Sequence, residues 1–306
     1  MGRGGLAHIA LFYRTAGEYL AAAVPFLTEG LSEGEPGFVA VPGPALARLR
    51  DALGPAAGRI AFADMTEMGR NPAWIIPRIQ ALLTAKPGRR VRYVGEPIWA
   101  GRSAAEVREA ARHEALINQA FGTAPASILC PYDVAHLAGQ VLAGAERSHP
   151  ALQRGPAVTP SPAYCAGAAL PPEFGLPLPP PPPDAETFRF DRDLAWVRAL
   201  IGARAAAAGL PPRRVHDMVL AAGELTANSV RYADEGGILR TWPGPREFLC
   251  EVTDSGYIRD ALAGRLQPAP GALGGHGLWI VHQVCDLVEL RSGPNGTTIR
   301  LHMSLP

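Results

Sequence analysis

Short apolar runs alternate with longer stretches of helical periodicity through residues 8–150. Strands are predicted at His8–Tyr13, Gly37–Val41, Arg59–Ala63, Val91–Val94 and Ala126–Cys130. Helices are predicted at Glu18–Gly30, Ala45–Leu53 and Ala104–Phe121. This alternation predicts an α/β domain with a largely parallel sheet covered by helices. Ligands in such sheets bind at the carboxyl ends of the strands.

The last third of the chain follows a different pattern. A strand is expected at Phe188–Asp191, with Asp191 capping a helix from Leu194 to about Ala208. A second helix, from Pro211-Pro212 to about Tyr232, has an apolar stripe of Val215, Met218, Val219, Ala222 and Leu225. Its opposite face carries Asp217, Glu224, Asn228 and Arg231. Strands at Ile238–Trp242, Glu247–Val252, Leu287–Arg291 and Thr297–Met303, with an apolar helix from Trp279 to Val284, complete an α+β pattern.

Composition fits a soluble globular protein: 47% of residues are hydrophobic and 19% charged. The formal net charge of +1 gives no electrostatic reason to expect nucleic acid or an anionic membrane as partner. No apolar run is long enough to span a bilayer, and there is no signal-type segment. Four scattered cysteines without CxxC spacing point to reduced thiols and a cytoplasmic location. Prolines concentrate between Pro156 and Pro183 and end in five consecutive ones, Pro179 to Pro183. A polyproline rod is expected to separate domains. The expected organisation is therefore an amino-terminal domain over 1–155, a linker over 156–186 and a carboxyl-terminal domain over 187–306.

The amino-terminal half has no Walker A sequence and no GxGxxG. Polar and aromatic residues at its strand ends, Glu96, Trp99, Arg102, Cys130, Tyr132 and Asp133, form a candidate ligand pocket. The alternative is structural, with a Glu96–Arg102 ion pair and Trp99 in the core. His8, Cys130, His136 and His149 are a conceivable metal or haem ligand set. Their spacing matches no standard site, and packing is the expectation. His8 with Phe12-Tyr13, Gly30 with Gly34-Glu35-Pro36, Asn71-Pro72, Gly95-Glu-Pro-x-Trp99, Glu114-x-x-x-Asn118, Cys130-Pro-Tyr-Asp133 and His149-Pro150 together resemble the MEDS sensory domain of bacterial regulators. The resemblance implies a signal-input module that senses small molecules such as hydrocarbon derivatives.

In the carboxyl-terminal half, Glu224 and Asn228 lie four apart on one helix face. A carboxylate and a carboxamide so placed suit a magnesium–nucleotide site. Asp254-Ser-Gly256 follows a strand, where Asp can accept from an adenine amino group and Gly lets the base approach. Gly274-Gly-His-Gly-Leu278 opens a helix, which suits a phosphate chain. In this order the motifs resemble the N, G1 and G2 boxes of the GHKL (Bergerat-fold) ATPases, an α+β two-layer sandwich, and most of all the anti-sigma-factor serine kinases. The resemblance implies ATP and Mg2+ as cofactors, Asn228 on magnesium and Asp254 on adenine. Gly256, Gly275, Gly277 and Leu278 would shape the pocket and lid, Thr298 would lie near the base, and Glu224 would be the general base. By charge rather than by motif, Arg259 or Arg265 in the lid would steady phosphates. A proline segment, not a helical hairpin bearing a phospho-acceptor His, precedes the domain, which argues against a conventional sensor histidine kinase.

Two functions follow. One is a signal-responsive protein serine/threonine kinase acting on a partner-switching protein, a sigma factor or an anti-anti-sigma protein being the expected partner. The other is an ATP- or ADP-gated module that holds such a partner without phosphorylating it. A homodimer is implied by resemblance alone.

Overall fold

A computed structural model describes residues 5–166, 172–233, 235–269, 271–272 and 274–306. The chain divides into two compact units, residues 1–171 and 172–306.

The first unit begins with β1 (Ala7–Tyr13), α1 (Ala16–Ser32), β2 (Gly37–Val41), α2 (Gly43–Leu53), β3 (Ile60–Asp64) and the short α3 (Met65–Met68). It continues through α4 (Ile75–Ala85), β4 (Val91–Gly95), α5 (Ala104–Phe121), β5 (Ala126–Asp133), α6 (Gly139–Ser148), β6 (Ala151–Arg154) and β7 (Ala157–Pro160). The strands form one sheet in the order β3-β2-β4-β5-β1-β6-β7. Every pairing is parallel except the β6–β7 hairpin. Central strands buried on both faces explain the near-continuous apolar runs; all of Ser127–Tyr132 is buried. Caps fix the helices where the sequence supplies them. Thr15 accepts from the Glu18 amide, and Ser103 with Glu106 forms a capping box at the start of α5.

The second unit contains β8 (Glu186–Phe190), α7 (Leu194–Ala207), α8 (Pro212–Tyr232), β9 (Gly237–Pro243), β10 (Glu247–Asp254), α9 (His276–Val284), β11 (Leu287–Gly293) and β12 (Gly296–Ser304). The sheet order is β11-β12-β10-β9-β8, antiparallel throughout. The helices cover one face, giving the expected two-layer sandwich. Its core joins Val197, Ile201, Met218, Leu225 and Val281 from the helices to Leu239, Cys250, Val252, Ile299 and Leu301 from the strands. The cap of α7 is Asp193, which accepts from the Trp196 amide at 3.0 Å. Asp191, expected in that role, lies before the turn and accepts from the Arg192 amide.

The expected 156–186 linker is partly built into the two units, and residues 167–171 of it lie outside the described residues. Ala157–Pro160 pairs with β6, because a two-residue turn lets this stretch add an edge strand. Leu176 and Pro179 offer backbone carbonyls to Arg291 (3.2 Å) and Arg300 (2.7 Å) of the second sheet. Proline lacks a donor but keeps its acceptor, so this segment can dock on buried arginines. Among the described residues no helix is long and apolar enough to cross a membrane.

Candidate functional site

The carboxyl-terminal motifs converge on one cavity. Helix α8 presents Glu224 and Asn228 on a half-buried face, while the intervening Leu225 and Thr226 turn into the core. The Thr226 hydroxyl satisfies itself on the Ala222 carbonyl (2.9 Å), leaving the motif's other two polar side chains outward. Gly277, at the start of α9, packs directly against the pair. A Cβ there would sit 2.8 Å from Glu224 Oε2 and 3.4 Å from Asn228 Nδ2. A side chain there would push the Glu224 carboxylate aside. Gly275 is the N-cap of α9 at φ +85°, a left-handed conformation that also favours glycine.

The cavity, about 320 Å³, lies beside these residues and is lined by Asn228, Asp254, Gly256 and Leu278, with Thr297 and Ile299 from β12. Asp254 sits at the end of β10. Its Oδ1 accepts from the Gly256 amide at 2.8 Å, and its Oδ2 accepts from the Ser229 hydroxyl at 2.6 Å. Each oxygen keeps a second lone pair, so the carboxylate can still accept from a ligand amine. The adjoining apolar walls, Leu225, Val252 and Ile258, suit a flat heteroaromatic ring. The donor set and cavity therefore fit an adenine nucleotide with its magnesium.

Two expectations change. Thr298, expected near the base, faces the other side of the sheet, where its hydroxyl lies 3.4 Å from that of Thr253. Thr297 takes its place at the cavity, because side chains alternate along a strand. The Thr297 hydroxyl donates to the Gly256 carbonyl at 2.8 Å and lies 2.6 Å from the Ser292 hydroxyl. Arg265, a candidate for phosphates, is buried, whereas Arg259 is exposed. Ser229 was missed: a lone helix serine looks ordinary until the fold brings Asp254 to it.

In the first unit, the six candidate pocket residues fall in four places. Glu96 is buried at the end of β4 and accepts from the Tyr13 hydroxyl at 3.0 Å. Burial, with Asp133 adding to it, pushes its carboxyl up to about 8. Arg102 stacks over Trp99 (4.2 Å) and donates to the carbonyls of Pro97 (2.6 Å), Gly69 and Arg70, fastening the loop. No Glu96–Arg102 pair forms among the contacts of either residue. Asp133 binds the exposed His136 (2.7 Å) and caps its own turn through the Ala135 amide.

Cys130 and Tyr132 point elsewhere, into a buried cluster with His8, Glu114 and His149. His8 Nε2 lies 3.1 Å from Glu114 Oε2 and 3.4 Å from Cys130 Sγ. His149 Nε2 lies 3.2 Å from the same Glu114 oxygen, and the Tyr132 ring meets His149 edge-on. Burial, with His149 alongside, holds the His8 imidazole down at about 4. Burial raises the Cys130 thiol. Of the ligand set conceivable from sequence, His136 stands apart and Glu114 joins. Only its place on α5, one turn before Asn118, hinted at this.

Comparison with known proteins agrees with this division. Residues 7–150 match the family model of MEDS, the MEthanogen/methylotroph, DcmR Sensory domain. Residues 191–303 match the histidine kinase-like ATPase domain. A search of the curated proteins finds no match. Among solved structures, the RsbU and RsbW domains of a Mycobacterium tuberculosis protein align at 21% identity and TM-score 0.31, over 40% of this chain and 33% of that one. The Acinetobacter baumannii histidine kinase AdeS aligns at 15% identity and TM-score 0.24, over 40% of this chain and 68% of that one. The chain thus spans about a third of the length of the first of these, and scores this low add nothing to the assignment. The two family matches do carry it: the chain joins a MEDS sensory domain to a histidine kinase-like ATPase domain.

Proposed function

We propose that the carboxyl-terminal domain is an ATP-dependent protein serine/threonine kinase of the anti-sigma-factor type, controlled by the MEDS domain and acting on a partner-switching protein. The observation that carries this reading is the packing of Glu224 beside Asn228 against the bare backbone of Gly277. Asn228 would hold Mg2+ and Asp254 would accept from the adenine amino group. Glu224, half-buried one helical turn before Asn228, would take the proton from a serine hydroxyl of the partner as its oxygen bonds to the γ-phosphorus and the bond to the leaving ADP breaks. ATP supplies the phosphoryl group, and the rest of the work is positioning.

A second reading is a nucleotide-gated clamp that holds the same partner without phosphorylating it. The burial of Arg265 favours it, since that removes one of the two lid arginines from the phosphates. Transfer of radioactive phosphate from ATP to a candidate anti-anti-sigma protein separates the two. The kinase reading expects transfer by the natural chain and its loss in Glu224→Ala with ATP binding kept. Equal transfer by both would overturn Glu224 as the base, and ATP binding without any transfer would favour the clamp.

A further inference from the structure

The buried cluster of the MEDS domain has the features of a metal site. Four potential ligand atoms, one each from His8, Glu114, Cys130 and His149, all lie within 4.8 Å of one another. They come from β1, α5, β5 and the residue after α6, so the fold gathers them from across the whole domain. All four residues are buried, which separates them from the ordinary surface His or Glu.

The hydrogen bonds around the cluster fix which imidazole nitrogen is bare. The Asn118 amide nitrogen donates to the Ser148 carbonyl at 2.7 Å, which turns its oxygen toward His8 Nδ1 at 3.1 Å. His8 therefore carries its proton on Nδ1. His149 Nδ1 lies 2.8 Å from the Ala145 carbonyl, an acceptor only, and 3.0 Å from the Ser148 hydroxyl, whose own proton goes to that same carbonyl, so the imidazole proton is there too. In the neutral rings both Nε2 atoms are lone pairs, and both aim at the Glu114 carboxylate, itself an acceptor. Glu114 Oε1 has no hydrogen-bond partner.

Lone pairs and a carboxylate converging in a dry interior repel one another unless a proton or a metal cation lies among them. Protonating both rings would put two imidazolium groups side by side, with centroids 4.0 Å apart, in a fully buried place. Outer-sphere acceptors that hold each Nδ1–H and present Nε2 are the arrangement of metal-binding histidines.

The geometry points to a divalent transition metal of the zinc type, bound by His8 Nε2, His149 Nε2, Glu114 and the Cys130 thiolate. A thiolate with two imidazoles selects zinc-like ions over magnesium or calcium. Ligand bonds of about 2.0–2.3 Å put neighbouring donor atoms roughly 3.3–3.8 Å apart in a tetrahedron. Three of the six separations, at 3.1–3.4 Å, lie close to these values. All six are within 4.8 Å, so the widest has to close by roughly 1 Å at most on binding. On binding, a sulfur–metal bond forms and the Cys130 thiol proton passes to solvent.

The test uses the full chain, produced in medium supplemented with zinc or, separately, with cobalt. Elemental analysis is expected to find about one zinc per chain that resists brief chelation, as a buried site requires. The cobalt form is expected to show a thiolate-to-cobalt charge-transfer band. Any cobalt taken up by the oxygen-rich nucleotide site cannot produce that band. Cys130→Ser should abolish it, whereas Cys165→Ser, Cys250→Ser and Cys285→Ser should each keep it. Absence of stoichiometric metal from the natural chain overturns the site, and so does a band that survives Cys130→Ser. The natural chain's own metal content and spectrum decide the matter if a variant fails to fold.

Discussion

The two faces of the carboxyl-terminal sheet use the same strands for opposite ends. On the helix side, Val252, Asp254, Thr297 and Ile299 border a cavity left open for a ligand. On the outer side, alternate residues of those strands form a charge ladder that is closed. Arg240 pairs with Glu251 (3.2 Å), Glu251 with Arg300 (2.6 Å), and Arg300 approaches Glu289 (3.9 Å), running across β9, β10, β12 and β11. His302 bridges Glu289 (3.1 Å) and Glu247 (2.9 Å). The proline segment lies over part of this face, with the Pro179 carbonyl on Arg300. Polar groups that answer each other serve stability and specificity; those left with spare lone pairs serve binding.

Removing one partner from the closed ladder should have the largest effect. Glu251→Ala leaves the Arg300 guanidinium buried without its main counterion and should lower the unfolding free energy by about 3–5 kcal/mol. Denaturant titration checks this. A loss under about 1 kcal/mol would mean the ladder is as dispensable as a surface pair. Nucleotide affinity, measured where the variant is folded, should stay within about twofold of the natural chain, because the two faces share no side chain.

The same kind of change on the open face should act on binding instead. Asp254→Ala removes a charged acceptor from the cavity. It should weaken ATP by roughly tenfold to a hundredfold, about 1.5–3 kcal/mol, read by calorimetry. The Ser229 hydroxyl keeps the Leu225 carbonyl (3.1 Å) as an alternative acceptor, so the unfolding midpoint should move far less than in Glu251→Ala. A larger stability loss than binding loss would reverse the assignment of the two faces.

The closed face also has a pH signature. Hydrogen bonds to Glu247 and Glu289 outweigh burial and raise the His302 imidazole above its ordinary value. The folded state then holds the proton more tightly than the unfolded one. Its stabilisation is full below the unfolded value of about 6.5 and is lost as pH rises through the folded value. The slope should reach at most about 1.4 kcal/mol per pH unit. Glu96 gives a slope of the same sign, since its carboxyl, raised to about 8, favours the protonated folded state between about 4.5 and 8. Comparing the natural chain with His302→Gln isolates the histidine's share; identical pH profiles would remove His302 from the ladder's energetics.

These faces differ as much in legibility as in energy. The open site is written in short local motifs, Glu224 to Asn228, Asp254 to Gly256 and Gly275 to Leu278, so sequence spacing alone assembles most of it. The ladder is written in pairs such as Glu251 and Arg300, far apart along the chain and looking like solvated strand residues. Its cover, around Leu176 to Pro179, reads from composition as a free spacer. The MEDS cluster is harder still: His8 meets Glu114 and Cys130 more than a hundred residues away. Parallel strands and helices are readable from periodicity, but which side chains meet across them depends on strand order, here β5 and β6 flanking β1.

The sharpest test of the comparison lies between two adjacent threonines, where period-two alternation is the only difference. Thr297 faces the cavity and ties β12 to the Gly256 carbonyl; Thr298 faces outward beside Thr253. Thr297→Val keeps the shape and removes the hydroxyl's bonds to the Gly256 carbonyl and the Ser292 hydroxyl. It should weaken ATP several-fold, about 1 kcal/mol. Thr298→Val should leave ATP affinity within about twofold, because its hydroxyl reaches the neighbouring strand's threonine and no cavity atom. Direct binding titrations of the two variants side by side decide it. If Thr298→Val were the weaker binder, β12 would be one residue out of register, and its ladder residues Arg300 and His302 would turn toward the helices.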